Sequence, residues 1–197
     1  MLALLIRHAQ ALAQDRIGLR AGLALSEQGE QQAAALARRL QRVEIAAIFS
    51  SPLRRTMQTA EIIAAAHDLR ITPEQALIEV NPGDWENRPV KELAGDPEWS
   101  RYNSFRSGTR IPGGEMMIEV QARVVTFLER AARDFPGRAV AIVSHADVIR
   151  AALCHYIGIP LDLSLRIEIG PASVSVLEVE PWGARLRELN HGGDLDL

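Results

Sequence analysis

Residues 2–8 read LALLIRH, five apolar residues followed by an arginine and a histidine. Two further runs of the same kind stand at 45–49 (IAAIF) and 139–143 (AVAIV). Runs this short, apolar at every position, fit strands buried on both faces of a parallel sheet. A helical pattern follows each. After the first, Ser26 is placed to cap a helix in which Ala33, Leu36, Ala37 and Leu40 repeat on one face. After the second, Ser51-Pro52 reads as an N-cap and first helical residue, with the helix running to about His67. After the third, Ile149, Ala152, Leu153 and Tyr156 share a face, and Gly158 and Pro160 end the helix. A longer helix is predicted over 115–133, with Ile118, Ala122, Val125 and Ala132 as its apolar stripe. Residues 173–180 alternate like a strand, Pro181-Trp182-Gly183 turns, and 185–190 returns. The reading is α/β: a three-layer α/β/α sandwich around a mostly parallel central sheet with an antiparallel edge. One domain over 1–197 is expected, with an insertion at about 82–114 forming part of a substrate rim.

Composition narrows the function. The 197 residues carry 22 basic and 25 acidic side chains, a formal charge of −3, and 47% are hydrophobic. Such a chain buries a substantial core and is not disordered. It lacks the overall basic footprint of a nucleic-acid binder. A single cysteine, Cys154, excludes an internal disulfide and a cysteine-rich zinc site. No apolar run reaches the ~18 residues of a membrane span, and the apolar start runs straight into Arg7 and His8 without a preceding basic residue. A cytoplasmic protein is expected, with neither nucleic acid nor membrane as partner. Lys91 is the only lysine, so 21 of 22 basic residues are arginine and any single arginine carries little information.

The polar residues after the three runs carry the chemistry. They are Arg7-His8, then Ser50-Ser51 with Arg54-Arg55, then Ser144-His145. Ligands of open α/β sheets bind at the carboxyl ends of the strands, where helix N-termini add donors. Arginines and two histidines gathered there make a site for a phosphoryl group. Each residue alone has a plainer reading, an arginine as a surface ion pair and a histidine as a solvated or satisfied ring. Two histidines with Glu79 could also ligate a metal, although guanidiniums beside them would repel a dication.

The stretches LLIRHAQ (4–10), SSPLRRTMQTA (50–60), PGGEMMIEVQAR (112–123) and VSHADVIRAAL (143–153) resemble the histidine phosphatase superfamily, also called phosphoglycerate mutase-like. The resemblance runs from Leu4 to about Val179. It implies that His8 is the nucleophile that becomes phosphorylated and that Arg7, Arg55 and His145 hold the phosphoryl oxygens. Its SSPLxR pattern selects Arg55 over Arg54, and neighbours about 100° apart on a helix cannot both point inward. It implies Glu79 as the proton-transferring acid, with Asp84 and Glu86 as rivals. No metal or other cofactor is implied. Gln10, Gln14 and Ala146 are further candidate substrate contacts. Ala9 and Ala146 stand where the superfamily has glycine, so negative φ angles are expected there. Ala11 lacks the hydroxyl often found at its position, and Gln14 replaces a common asparagine.

Within the superfamily, GDWENRPVKEL (83–93), HADVIRAALCHYIGIPLDL (145–163) and PASVSVL (171–177) are similar to an actinobacterial-type branch named as phosphomutases. The stretch between Glu79 and Gly113 is short, and a short lid leaves the phosphohistidine open to water. The expected activity is therefore a phosphatase acting on a small phosphorylated metabolite, with a phosphomutase as the alternative. A non-catalytic phosphate-binding protein is the reading from another class, and a homodimer is left open. The stretch WSRYNSFRSGTR (99–110) has two readings. It is a rim that meets a second anionic group or stacks on a ring, or an amphipathic helix with its aromatics packed inward and its arginines outward.

Overall fold

All three apolar runs form strands, and a computed structural model describes residues 1–12, 16–18 and 22–193. The strands are β1 (Leu2–Arg7), β2 (Ile45–Ser50), β3 (Ile71–Pro73), β4 (Ala139–Ser144), β5 (Val174–Glu180) and β6 (Gly183–His191), in the sheet order β3-β2-β4-β1-β5-β6. Pairings β2–β3, β2–β4 and β1–β4 are parallel, and β1–β5 and β5–β6 are antiparallel. The class is therefore the expected α/β sandwich with an antiparallel edge. Strand alternation divides each run between two cores. Leu4, Ile6, Ala141 and Val143 join the helices α1 (Glu27–Leu40) and α2 (Arg54–Ala65) on one face. Ala3, Leu5, Val140 and Ile142 join α5 (Met117–Asp134) and α6 (Ala146–Ile157) on the other. Residues 82–114 carry the short α3 (Val90–Leu93) and α4 (Pro97–Ser104).

Local chemistry accounts for several boundaries. The Ser26 hydroxyl accepts from the Gly29 N–H at 3.0 Å and caps α1. Gly29 is obligatory, because a Cβ there would lie 1.9 Å from the Gln10 carbonyl. That close approach fixes the turn after β1 against α1. Gly158, at φ 71°, ends α6 in the left-handed conformation.

Three expectations need correction, and one strand has no counterpart in the sequence reading. Ser51 does not cap α2, which starts at Arg54 behind Leu53 and ends at Ala65. The Ser51 hydroxyl is turned instead toward His145. On α5 the buried face is Met117, Val120, Val124, Phe127, Leu128 and Ala131, while Ile118 is 50% exposed. The largest side chains chose the face, and the predicted stripe lies beside it. The three-residue β3, which contains a proline, gives no periodic signal in the sequence. Finally, α4 begins at Pro97 behind an Asp96 cap and ends at Ser104. Trp99 and Tyr102 pack inward as the helical reading requires, but Phe105 is 48% exposed and Arg106 is 2% exposed. Phe105 leaves helical geometry (φ −135°, ψ 64°), which turns the next residue to the inside.

Candidate active site

His8, Ser51 and His145 are each the residue immediately after a strand, and those strands, β1, β2 and β4, are neighbours. The ladders extend one step to hold them. His8 N–H donates to the Ser144 carbonyl at 3.0 Å and Ser51 N–H to the Val143 carbonyl at 2.9 Å. Thr59 of α2 accepts from the Ala9 N–H at 3.1 Å and donates to the Arg55 carbonyl at 2.8 Å. This hydroxyl therefore links the turn carrying His8 to the helix turn carrying Arg55.

The hydrogen bonds fix both imidazoles. His8 Nδ1 lies 2.7 Å from the Ala9 carbonyl, which can only accept, so Nδ1 carries the proton. Nε2 is then the lone-pair nitrogen, and Arg55 Nε donates to it at 3.2 Å. Arg55 Nη2 also lies 3.2 Å from His145 Nδ1. A guanidinium only donates, so this nitrogen is the acceptor and His145 Nε2–H points to the Ser51 hydroxyl at 2.9 Å. Both rings are neutral. Burial, with the Arg55 charge behind it, holds His8 down at about 3. Burial, then the neighbouring His8 ring and the Arg55 charge, holds His145 well below the usual imidazole range.

Arg7 completes the cationic side, with Nη1 donating to the Ile169 carbonyl at 2.5 Å. Its Nε is buried without a hydrogen-bond partner. Glu79 sits opposite, its Oε2 3.7 Å from His145 Nδ1 and its Oε1 accepting from the Val80 N–H at 2.9 Å. Burial is the main cause pushing the Glu79 carboxyl up, and the Asp147 charge adds to it. The segment is braced from below, since Ser144 Oγ donates to the Leu77 carbonyl at 2.8 Å and Glu115 accepts from the Asn81 N–H at 2.7 Å.

Arg7, His8, Arg55 and Glu79 line one open cavity of ≈ 230 Å³, together with Gln10 and the rim residues Arg16 and Gly18. Arg55 is 4% exposed, whereas Arg54 is exposed on the outer side of the helix. Asp84 and Glu86 are exposed and do not line the cavity. Ala146 opens α6 behind His145 but is not part of the lining. Gln14 lies outside the described residues. Neither Ala9 nor Ala146 takes a positive φ, and Ala9 is fully buried, so its methyl fits where the superfamily has glycine. Among the described residues no group of three or more His, Cys, Asp or Glu is placed to hold a metal ion. No helix among them is long and apolar enough to cross a membrane.

Sequence reasoning missed Ser51 and Arg16. Ser51 has a signal, since it lies in the quoted SSPLRR stretch beside a strand end, but Ser-Pro also reads as a helix start. Arg16 has none; its Nη1 donates to the Asn87 carbonyl at 2.5 Å, a partner that only the fold brings near.

The arrangement offers one nucleophilic nitrogen, two guanidiniums and a carboxyl with a raised pKa around one cavity. Known proteins resemble this chain in sequence and in fold. The chain is 35% identical over 95% of its length to phosphoserine phosphatase 1 of Hydrogenobacter thermophilus, covering 90% of that protein. It is 33% identical over 96% of its length to the probable phosphoglycerate mutase GpmB of Yersinia pestis, covering 91% of it. In fold it matches the crystal structure of an Escherichia coli protein described as an alpha-ribazole-5'-P phosphatase, with a TM-score of 0.89 at 24% identity, covering 100% of this chain and 99% of that one. A profile of the histidine phosphatase superfamily (branch 1) matches residues 3–192, and the chain belongs to that superfamily.

Proposed function

We propose that this protein is a phosphatase that hydrolyses small-molecule phosphomonoesters through a phosphohistidine on His8. The observation that carries the reading is the His8 tautomer. Its Nδ1 proton is committed to the Ala9 carbonyl, so the Nε2 lone pair faces the same cavity as Arg55 and Glu79. With a pKa near 3, that nitrogen stays an unprotonated nucleophile at neutral pH.

In the first step the Nε2 lone pair attacks phosphorus and the bond to the alcohol oxygen breaks. Arg7 and Arg55 offset the charge on the phosphoryl oxygens with forked donors. Arg55 Nε–H, which points at Nε2 in the unliganded site, is handed to an arriving phosphoryl oxygen and frees the lone pair. Glu79, whose carboxyl is pushed toward the protonated form by burial, gives its proton to the leaving alkoxide. In the second step the Glu79 carboxylate takes a proton from water as that oxygen attacks phosphorus. The P–N bond breaks and the lone pair returns to His8. A dianionic phosphate also raises the pKa of His145, whose added proton becomes another donor to it.

The identity to a named mutase supports a second reading, in which the phosphoryl group passes to another alcohol instead of water. Only 33 residues separate Glu79 from Gly113, little chain for a lid that would keep water out, and this favours hydrolysis. Rapid quench with phosphorus-labelled substrate tests both. Wild type should give an acid-labile phosphoenzyme and then inorganic phosphate, with turnover persisting in chelator. His8→Ala should give neither phosphoenzyme nor phosphate while keeping its circular dichroism. Label recovered as an isomeric phosphoester would establish the mutase reading. Turnover surviving in His8→Ala would end both.

A further inference from the structure

A second, smaller cavity lies behind Glu79. It shares Glu79 and Gly18 with the phosphate cavity and is otherwise walled mainly by Trp85, Trp99, Tyr102, Ile111 and Arg106. We propose that this cavity receives the alcohol half of the substrate and takes a neutral, ring-sized apolar group. The inference rests on the hydrolase reading above and names the substrate class of that same site.

The position follows from in-line displacement. The leaving oxygen departs on the side of phosphorus away from His8 Nε2, and it must meet the Glu79 proton there. The carbon attached to that oxygen then continues past Glu79, where the second cavity begins. Size and lining set what fits. The cavity is ≈ 120 Å³. An apolar cavity of ~150 Å³ holds benzene, so a single ring or a compact branched chain is the upper limit. A nucleoside or a second sugar phosphate is too large.

The walls are stiff and aromatic. Trp85 packs edge-on against Trp99 (centroids 5.2 Å apart) and against Tyr102 (5.5 Å), geometry suited to adding a further ring. Arg106 does not offer a free charge to an anion. It lies over the Tyr102 ring at 4.8 Å and pairs with Asp147 at 2.7 Å, and Asp147 also accepts from Arg150 at 3.0 Å. Of these two guanidiniums only Arg106 lines the cavity, and its charge is met there by the Asp147 carboxylate. A carboxylate or second phosphate on the alcohol would leave water for a wall with no unmatched cation, a costly transfer. The other arginines of this segment do not supply one. Arg110 is paired with Glu119 and Arg101 is exposed, and neither lines the cavity.

The test compares benzyl phosphate, ethyl phosphate and 3-phosphoglycerate. The two simple alcohols are similarly poor leaving groups, so both need the Glu79 proton and the difference reads the ring. Benzyl phosphate should exceed ethyl phosphate in kcat/KM by about tenfold or more, the equivalent of ~1.4 kcal/mol. It should also exceed 3-phosphoglycerate, and the benzyl-to-ethyl ratio should collapse toward one in Trp99→Ala. A ratio near one in wild type, or 3-phosphoglycerate as the better substrate, would overturn the proposal and leave the phosphatase reading standing. Binding provides a measurement independent of turnover and of the Trp99 variant. Two of the three tryptophans line the cavity. In His8→Ala, benzyl phosphate should change tryptophan fluorescence saturably at a lower concentration than ethyl phosphate. Equal titrations with the two would reject the subsite even if no substrate were ever turned over.

Discussion

At the sheet edge, three residues each one step beyond a strand meet through hydrogen bonds of 2.9–3.2 Å around Arg55. In the 82–111 wall, by contrast, short helical turns are joined by ring contacts 5.2–5.5 Å apart and by one buried ion pair. The first region inherits its precision from the sheet, because a residue following a strand has its backbone fixed by the neighbouring ladder. The second has no ladder and is held by packing and by Arg106 reaching across to α6. Chemistry that tolerates little misplacement sits on the first, and contacts to a variable alcohol belong to the second. Mutation should separate the two: edge residues should change rate more than stability, and wall residues the reverse.

The largest effect expected on that comparison is at Arg55. Arg55→Ala should lower kcat/KM by ~3–4 kcal/mol, on the order of a hundred- to a thousandfold, as for the loss of one transition-state donor. Its melting temperature should move less than its rate, because the cost of burying this guanidinium is released as its hydrogen bonds to His8 and His145 are lost. A melting loss as severe as the rate loss would show that the edge is not prebuilt by the sheet.

Arg106→Met is the matching change in the wall. Breaking a buried ion pair by removing one partner costs ~3–5 kcal/mol. Asp147 keeps Arg150 and is partly exposed, so about 2–3 kcal/mol of stability should be lost in urea melts. Methyl or ethyl phosphate turnover should fall less than it does in Arg55→Ala. A rate loss exceeding that of Arg55→Ala would place Arg106 with the edge.

These two arginines also show what sequence can and cannot reveal. Arg55 was legible because the Arg54-Arg55 pair lies one helical turn from a strand end, in a stretch whose resemblance to the superfamily's SSPLxR pattern selects the second arginine. Arg106 was not, since its partner Asp147 is 41 residues away and one arginine among 21 carries no signal. Strands β1, β2 and β4 declare themselves by unbroken apolar runs, which only two-sided burial explains. The α5 face does not, because Met117, Ile118, Val120, Val124 and Val125 support two overlapping helical stripes and only the packing of Phe127 and Leu128 decides between them. Ser51 was misread because Ser-Pro satisfies a helix-start rule that the backbone then ignores for two more residues.

A smaller effect concerns pH. His8 is held at about 3 in the folded protein against 6.5 in an unfolded chain. Between those values the unfolded state binds the proton and the folded state does not, so stability falls as pH drops from 6.5 toward 3. The slope from one such group is ~1.4 kcal/mol per pH unit. His8→Ala removes that group, so its stability should decline less steeply with acid than that of wild type, with His145 leaving a residual slope of the same sign. Parallel slopes in chemical denaturation at several pH values would mean that His8 is not held neutral by the fold.

The smallest effect is at Arg54, beside the residue with the largest. The two side chains diverge by about 100° around α2, and Arg54 is exposed while Arg55 is 4% exposed. Arg54 is also the first residue of the helix, where the backbone N–H groups place a partial positive charge and a cation is disfavoured. Arg54→Ala therefore removes no contact in the cavity and relieves a small repulsion at the helix start. Activity should stay within about 0.5 kcal/mol, roughly twofold, and stability should be unchanged or slightly higher. A loss of rate approaching that of Arg55→Ala would mean that Arg54 turns inward when substrate binds. The sheet edge would then be completed by a group that moves on binding, and the contrast between an edge prebuilt by the sheet and a wall held by packing would not hold at α2.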